Sequence, residues 1–126
     1  EKGERVVIVS RGYGGKLSNK NINVISDGEK ISIAETEFLV IHTPGHSSGG
    51  VCYYCEKERI LFCGDTLFAS SVGRSDLHGG NEEMLIQSIR QKLFILPDET
   101  QVYTGHGYPT TIGEEKRGNP YVSLYA

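Results

Sequence analysis

The chain has 126 residues, 37% hydrophobic and 23% charged, which suits one packed domain and is too short for two ordinary ones. A formal charge of −3 and a pI near 5.8, with no run of Lys or Arg, exclude a nucleic-acid electrostatic footprint. No apolar stretch approaches the roughly 18 residues of a membrane span and no signal-type segment opens the chain, so a cytoplasmic location with no membrane partner is expected.

Val6-Val7-Ile8-Val9 is fully apolar and fits a buried strand. Arg11 to Asn21, rich in Gly, Lys and Asn, reads as a long loop. Its start, Arg11-Gly12-Tyr13-Gly14-Gly15-Lys16-Leu17-Ser18, fits neither phosphate-binding template. Leu17 stands where a dinucleotide loop needs Gly or Ala, and it separates Lys16 from Ser18 where a P-loop needs them adjacent. Lys30–Ile33, Glu37–Ile41, Gly50–Cys55 and Ile60–Cys63 are short, β-branched or aromatic, and bounded by turn residues, so each is predicted to be a strand. Ser26-Asp27-Gly28 and Glu56-Lys57-Glu58 are predicted hairpin connections.

Cys52 and Cys55 spell CxxC, but there is no second pair for a four-cysteine zinc site. Residues three apart on a strand point to opposite faces, and the odd third cysteine, Cys63, argues against a disulfide framework. All three read as reduced, small apolar side chains.

Asn81 can cap a helix whose first turn carries Glu82 and Glu83 and whose apolar stripe is Leu85, Ile89 and Leu93 with Ile86 beside it. Pro97-Asp98 ends it. Gln101–Thr104 is a further strand, Thr111-Ile112-Gly113-Glu114 matches a capping box, and Gly118-Asn119-Pro120 supplies a stop. Strands first, then strand and helix alternating, predict a single α/β (α+β) domain over residues 1–126. Its sheet would be covered on one side by helices, leaving the other apolar face without an obvious partner.

Three segments each end a strand in a tight turn bearing a metal-capable side chain. In Ile41-His42-Thr43-Pro44-Gly45-His46-Ser47, Pro44 and Gly45 force a turn that holds His46 at the strand edge. In Leu61-Phe62-Cys63-Gly64-Asp65-Thr66, Gly64 lets the backbone approach closely and Asp65 follows the strand. In Val102-Tyr103-Thr104-Gly105-His106-Gly107, glycines flank His106. Ligand sites sit at such edges, and two imidazoles with a carboxylate suit zinc, manganese or ferrous iron. A carboxylate can also bridge two ions.

His42-Thr43-Pro44-Gly45-His46-Ser47-Ser48-Gly49, Phe62-Cys63-Gly64-Asp65-Thr66-Leu67-Phe68 and Gly105-His106-Gly107 resemble the later motifs of the metallo-β-lactamase fold. The resemblance is nearest to the glyoxalase II-like (hydroxyacylglutathione hydrolase-like) hydrolases, in their compact bacterial subgroup. Gly73-Arg74-Ser75-Asp76-Leu77, Thr110-Thr111-Ile112-Gly113-Glu114-Glu115-Lys116 and Asn119-Pro120 match that subgroup too, so the resemblance runs from about Val24 to Val122. It implies an αββα sandwich of which this chain holds mainly the second sheet and its helices. It also implies two metal ions, zinc first with iron or manganese as alternatives: His46 binds one, His106 the other, and Asp65, the catalytic carboxylate, bridges both. The implied reaction is hydrolysis of a small-molecule thioester such as S-lactoylglutathione by a metal-activated water.

The family's His-x-His-x-Asp-His cluster is not in this sequence; its place falls upstream of Val6, so the domain is expected to be N-terminally truncated. A complementing N-terminal chain or a homodimer is the expected partner, and three ligands split between two ions imply weak binding. His42, His78 and Cys63 are the local substitutes; they read respectively as a structural hydrogen bond, a surface residue and a packed strand residue. Arg74 and Asp76 either steer an anionic substrate or, the preferred reading, brace the loop as an ion pair. Tyr108 either faces the substrate or packs. Two rivals stand beside the hydrolase: a persulfide dioxygenase with one ferrous ion, and a non-catalytic fragment or half of a split enzyme.

Overall fold

The computed structural model describes residues 5–9 and 22–123, with side chains for 26–123. The predicted loop Arg11–Asn21 lies outside the described residues. β1 (Arg5–Val9) pairs antiparallel with β2 (Ile22–Ser26) as a separate ribbon. The main sheet is a meander of β3 (Lys30–Ile33), β4 (Thr36–His42), β5 (Val51–Cys55) and β6 (Ile60–Gly64). β6 then pairs in parallel with β9 (Gln101–Thr104), which pairs antiparallel with the short β10 (Thr110–Thr111). A parallel pair needs a long crossover. Here it carries the small hairpin β7 (Leu67–Phe68) and β8 (Ser71–Val72) and the helix α1 (Glu82–Ser88).

Strand direction decides where the motifs meet. β4 and β6 are both antiparallel to β5, so they run the same way, and β9 is parallel to β6. All three strands therefore release their chains at one edge of the sheet. β6 lies between, with β9 immediately on one side and β4 two strands away on the other.

Alternation along the strands sends Leu39, Ile41, Cys52, Tyr54, Leu61, Cys63 and Val102 toward the helices, where Leu85, Ile89, Leu93, Phe94, Ile112 and Val122 complete one core. The predicted stripe is right: Leu85, Ile89 and Leu93 are each 0% exposed, worth about 1.5–3 kcal/mol apiece. Asn81 caps α1 by accepting from the Met84 N–H at 3.0 Å. From Ile89 to Leu93 the helix widens to a π turn, in which the Phe94 N–H reaches the Ile89 carbonyl at 3.0 Å. α2 (Ile112–Gly118) starts at Thr111, whose hydroxyl accepts from the Glu114 N–H at 3.2 Å, and stops at Asn119.

The other sheet face carries the cross-strand row Val40, Tyr53, Phe62 and Tyr103. Val40 is buried against Ile31, Val51 and Tyr53. Toward the other end, Phe62 stacks on Tyr103 with ring centroids 5.7 Å apart, and these two remain 43% and 40% exposed. This is the apolar face for which the sequence offered no cover.

One turn reading is corrected. Residues 56–59 do close the β5–β6 hairpin, but Ser26-Asp27-Gly28 joins no paired strands: β2 pairs with β1 and β3 with β4. That turn instead docks on β4, with the Gly28 N–H donating to the Val40 carbonyl at 2.7 Å and the Asp27 carboxylate accepting from the His42 N–H at 2.8 Å. The unpredicted hairpin is β3–β4, closed by Ala34 and Glu35 at φ 51° and 68°. Among the described residues no helix is long and apolar enough to cross a membrane.

Candidate metal centre

The loop after β4 is bolted to α1. The Gly45 carbonyl accepts from the Asn81 N–H at 2.7 Å, and the Ser88 hydroxyl donates to the Pro44 carbonyl at 2.8 Å. Gly45 has φ +145°, and a Cβ there would lie 2.2 Å from the Leu85 Cα, so no larger residue fits. His46 projects from this fixed turn. Its Nδ1 lies 2.7 Å from the Arg74 carbonyl oxygen. A carbonyl only accepts, so Nδ1 carries a proton, and in the neutral ring Nε2 presents its lone pair. That lone pair faces the Asp65 Oδ2 at 3.7 Å.

The other carboxylate oxygen, Oδ1, faces the His106 Nε2, also at 3.7 Å. Asp65 thus stands between two imidazoles with one oxygen toward each. Neither separation is a hydrogen bond. Two donors each about 2.1 Å from one tetrahedral ion sit about 3.4 Å apart, so both gaps match a metal-sized space. Glycine makes the approach feasible, though not where the sequence suggested. A Cβ on Gly105 would fall 2.4 Å from the Asp65 Oδ1, and one on Gly73 would fall 1.9 Å from the Asp65 carbonyl oxygen. Gly64 has open space around it, and its φ of +56° is one that favours glycine. The His106 imidazole stacks on Phe68 with centroids 6.0 Å apart and planes at 29°.

Arg74 forks onto Asp76 through Nε and a terminal nitrogen at 2.9 and 3.0 Å. This hydrogen bonding raises the guanidinium's pKa and holds the Asp76 carboxyl below the usual carboxylate range. The pair lies within the loop whose backbone meets His46. Sequence reasoning missed that carbonyl, because a main-chain acceptor leaves no residue signature. Tyr108 does not pack; it is 84% exposed beside the His106 turn.

The local substitutes sit elsewhere. His42 is buried, with Nε2 3.0 Å from the Ser48 carbonyl oxygen, a structural bond as predicted. His78 is on an exposed loop. Cys63 is buried in the core, where the hydrogen bond with Cys52 and burial push its thiol pKa up. Cys52 and Cys55 are likewise free and buried. Among the described residues no three His, Cys, Asp or Glu side chains surround one point. Each of the two positions beside Asp65 has one imidazole and one carboxylate oxygen, short of the three or four protein donors of a tight site. The side chains of His46, Asp65 and His106 are 30%, 44% and 81% exposed, so the donors stand on an open edge of the sheet.

The family model of the metallo-beta-lactamase superfamily matches residues 2–106. The chain belongs to that superfamily. It is 50% identical over 97 residues to an uncharacterized protein of Aquifex aeolicus, covering 77% of this chain and 46% of that one. It is 40% identical over 97 residues to the hydroxyacylglutathione hydrolase GloC of Haemophilus influenzae, with the same coverages of 77% and 46%. Among solved structures, the BLEG-1 B3 metallo-beta-lactamase is 47% identical with a TM-score of 0.75, over 78% of this chain and 47% of that one. TTHA1623 in a di-iron-bound form is 42% identical with a TM-score of 0.71, over 77% and 46%. ETHE1 from Myxococcus xanthus is 34% identical with a TM-score of 0.76, over 96% and 52%. The chain spans about half the length of the curated relatives it matches.

Proposed function

We propose that the protein carrying this chain is a metal-dependent thioester hydrolase of the glyoxalase II type, acting on small molecules such as S-lactoylglutathione. The observation that carries this reading is Asp65, which turns one oxygen toward the Nε2 of His46 and the other toward the Nε2 of His106. In this reading His46 and His106 would each hold one ion, and Asp65 would offer one carboxylate oxygen to each. Zinc is the first candidate; iron suits the same donors, as the di-iron form of TTHA1623 illustrates. Bound there, such ions would acidify a water and polarise the thioester carbonyl.

The chain's own residues then do three things. The Arg74 carbonyl fixes the tautomer of His46, so its lone pair needs no rearrangement to bind. Asp65, pinned between Gly73 and Gly105, sets the spacing of the two positions. Tyr108, exposed next to His106, is available to contact the substrate, whereas Arg74 is committed to Asp76. The donors still required are proposed to come from a further part of the polypeptide or a complementing chain, which would also cover the Phe62–Tyr103 face.

Support also comes from the 40% identity to GloC. The test is metal analysis with a thioesterase assay on the full-length protein, wild type against His46→Ala, Asp65→Ala and His106→Ala. Wild-type turnover of S-lactoylglutathione, abolished in all three, is expected. Undiminished turnover in any of them, or oxygen uptake with glutathione persulfide in place of hydrolysis, would refute the proposal.

A further inference from the structure

Glu115 is a carboxylate only 4% exposed, and Asn119, one turn along α2, is 0% exposed. Among the described residues Glu115 makes no ion pair. It collects donors: the Ser70 N–H at 2.8 Å and the Asn119 amide at 2.9 Å on one oxygen, and the Thr110 hydroxyl at 2.5 Å on the other. The Asn119 amide also reaches the Ser71 carbonyl at 3.0 Å and the Phe68 carbonyl at 3.4 Å. A buried charge without a cation is rarely the most stable way to fill a core. What it grips explains its presence.

Every one of those contacts except Thr110 and Glu115–Asn119 itself goes to the tip of the β7–β8 hairpin. That hairpin has only two residue pairs, Leu67↔Val72 and Phe68↔Ser71, and Ser70 sits at φ +63°. Two strands of that length do not hold their own shape. Yet the hairpin and the residues that flank it reach all three donors. Asp65 precedes it by one residue, and the Gly73 N–H closes its base on the Thr66 carbonyl at 3.1 Å. Arg74, just beyond, offers the carbonyl that orients His46. Phe68, within it, carries the ring stacked on His106.

We infer that Glu115 and Asn119 are positioning residues for the metal centre: they clamp the hairpin that sets the relative placement of His46, Asp65 and His106. The inference rests on the reading of those three as metal ligands. None of the hydrogen bonds of Glu115 and Asn119 goes to His46, Asp65 or His106, so the clamp acts on the donors only through the hairpin and its loss should appear in metal affinity.

The experiment is zinc affinity of the full-length protein, by competition with a chromophoric chelator well below the unfolding temperature, for wild type, Glu115→Gln and Asn119→Ala. Cobalt-substituted absorption spectra report the geometry of the loaded site. Val122→Ala, a core cavity that removes none of the clamp's side-chain hydrogen bonds, is the control for lost stability, and His46→Ala the control for the ligands. Both clamp variants should bind zinc about 10–100-fold more weakly, with an altered cobalt spectrum, while Val122→Ala melts earlier but binds as wild type. Should Glu115→Gln not fold, Asn119→Ala, which leaves the Ser70 and Thr110 bonds in place, carries the comparison. Folded clamp variants binding within twofold of wild type, with His46→Ala defective, would overturn the clamp alone. Unchanged binding in His46→Ala would overturn the ligand reading and the clamp with it.

Discussion

Gly105→Ala isolates the geometry of the centre from the stability of the fold. The added methyl would meet the Asp65 Oδ1 at 2.4 Å, well inside the contact distance of about 3.2 Å. Gly105 does not need a left-handed φ, so alanine is tolerated by the backbone there. The carboxylate must therefore retreat by roughly 1 Å, away from the side on which His106 faces it. A misplacement of that size costs about 100-fold in rate, or about 2.7 kcal/mol of transition-state stabilisation. The position is exposed but the methyl also meets the Gly64 carbonyl group at 3.2 and 3.3 Å, so stability should fall by about 1 kcal/mol. The assays are zinc affinity, kcat/KM for a thioester, and the melting temperature of the full-length protein. Gly107→Ala is the mirror case: φ is +81° but nothing lies within 4 Å, so it should lose about 1 kcal/mol of stability and keep its metal. Wild-type zinc affinity and turnover in Gly105→Ala would refute the argument that Asp65 is held in one place by its glycine neighbours.

Gly45→Ala combines φ +145° with a 2.2 Å clash on the Leu85 backbone, and should destabilise the fold by about 3 kcal/mol or more in denaturant titrations. Burial raises the Asp27 carboxyl, but hydrogen bonds from the His42 N–H and Lys92 outweigh it and leave the pKa below its ordinary value. The stability this group contributes is therefore fully present above the ordinary carboxylate pKa and is lost as pH falls through the lower folded value. Lys92→Met should weaken that acid-side loss in melts recorded across the acid range, and an unchanged profile would count against the Asp27–Lys92 pair. Cys52, Cys55 and Cys63 are all buried and should react with a thiol reagent only after unfolding; prompt labelling of the native protein would contradict the core packing.

Much of the centre was readable because glycine and proline punctuate it. Pro44-Gly45, Gly64 and Gly105 mark three strand ends, and His46, Asp65 and His106 follow each mark directly. That these ends share one edge depends on strand direction and order, which no residue states: β6 and β9 are neighbours only after a crossover that holds a hairpin and a helix. The amphipathic stripe of α1 was equally plain, since Leu85, Ile89 and Leu93 recur at helical spacing. The π turn after it carries no Gly or Pro to announce it. The β3–β4 hairpin was hidden because Ala34-Glu35 adopts left-handed angles that Asn-Gly would have advertised, held there by the cross-strand pairs on either side. Ser26-Asp27-Gly28 misled for the opposite reason: its turn chemistry is real, but its flanking strands belong to different sheets. The close approach credited to Gly64 belongs to Gly73 and Gly105, residues that are distant in sequence and meet Asp65 only in the fold.

Metal stoichiometry of the full-length protein and its three ligand variants tests the bridging role of Asp65 most directly. Zinc-loaded wild type should hold two ions, His46→Ala and His106→Ala should each lose one, and Asp65→Ala should lose both. An Asp65→Ala protein that keeps both ions would contradict that role.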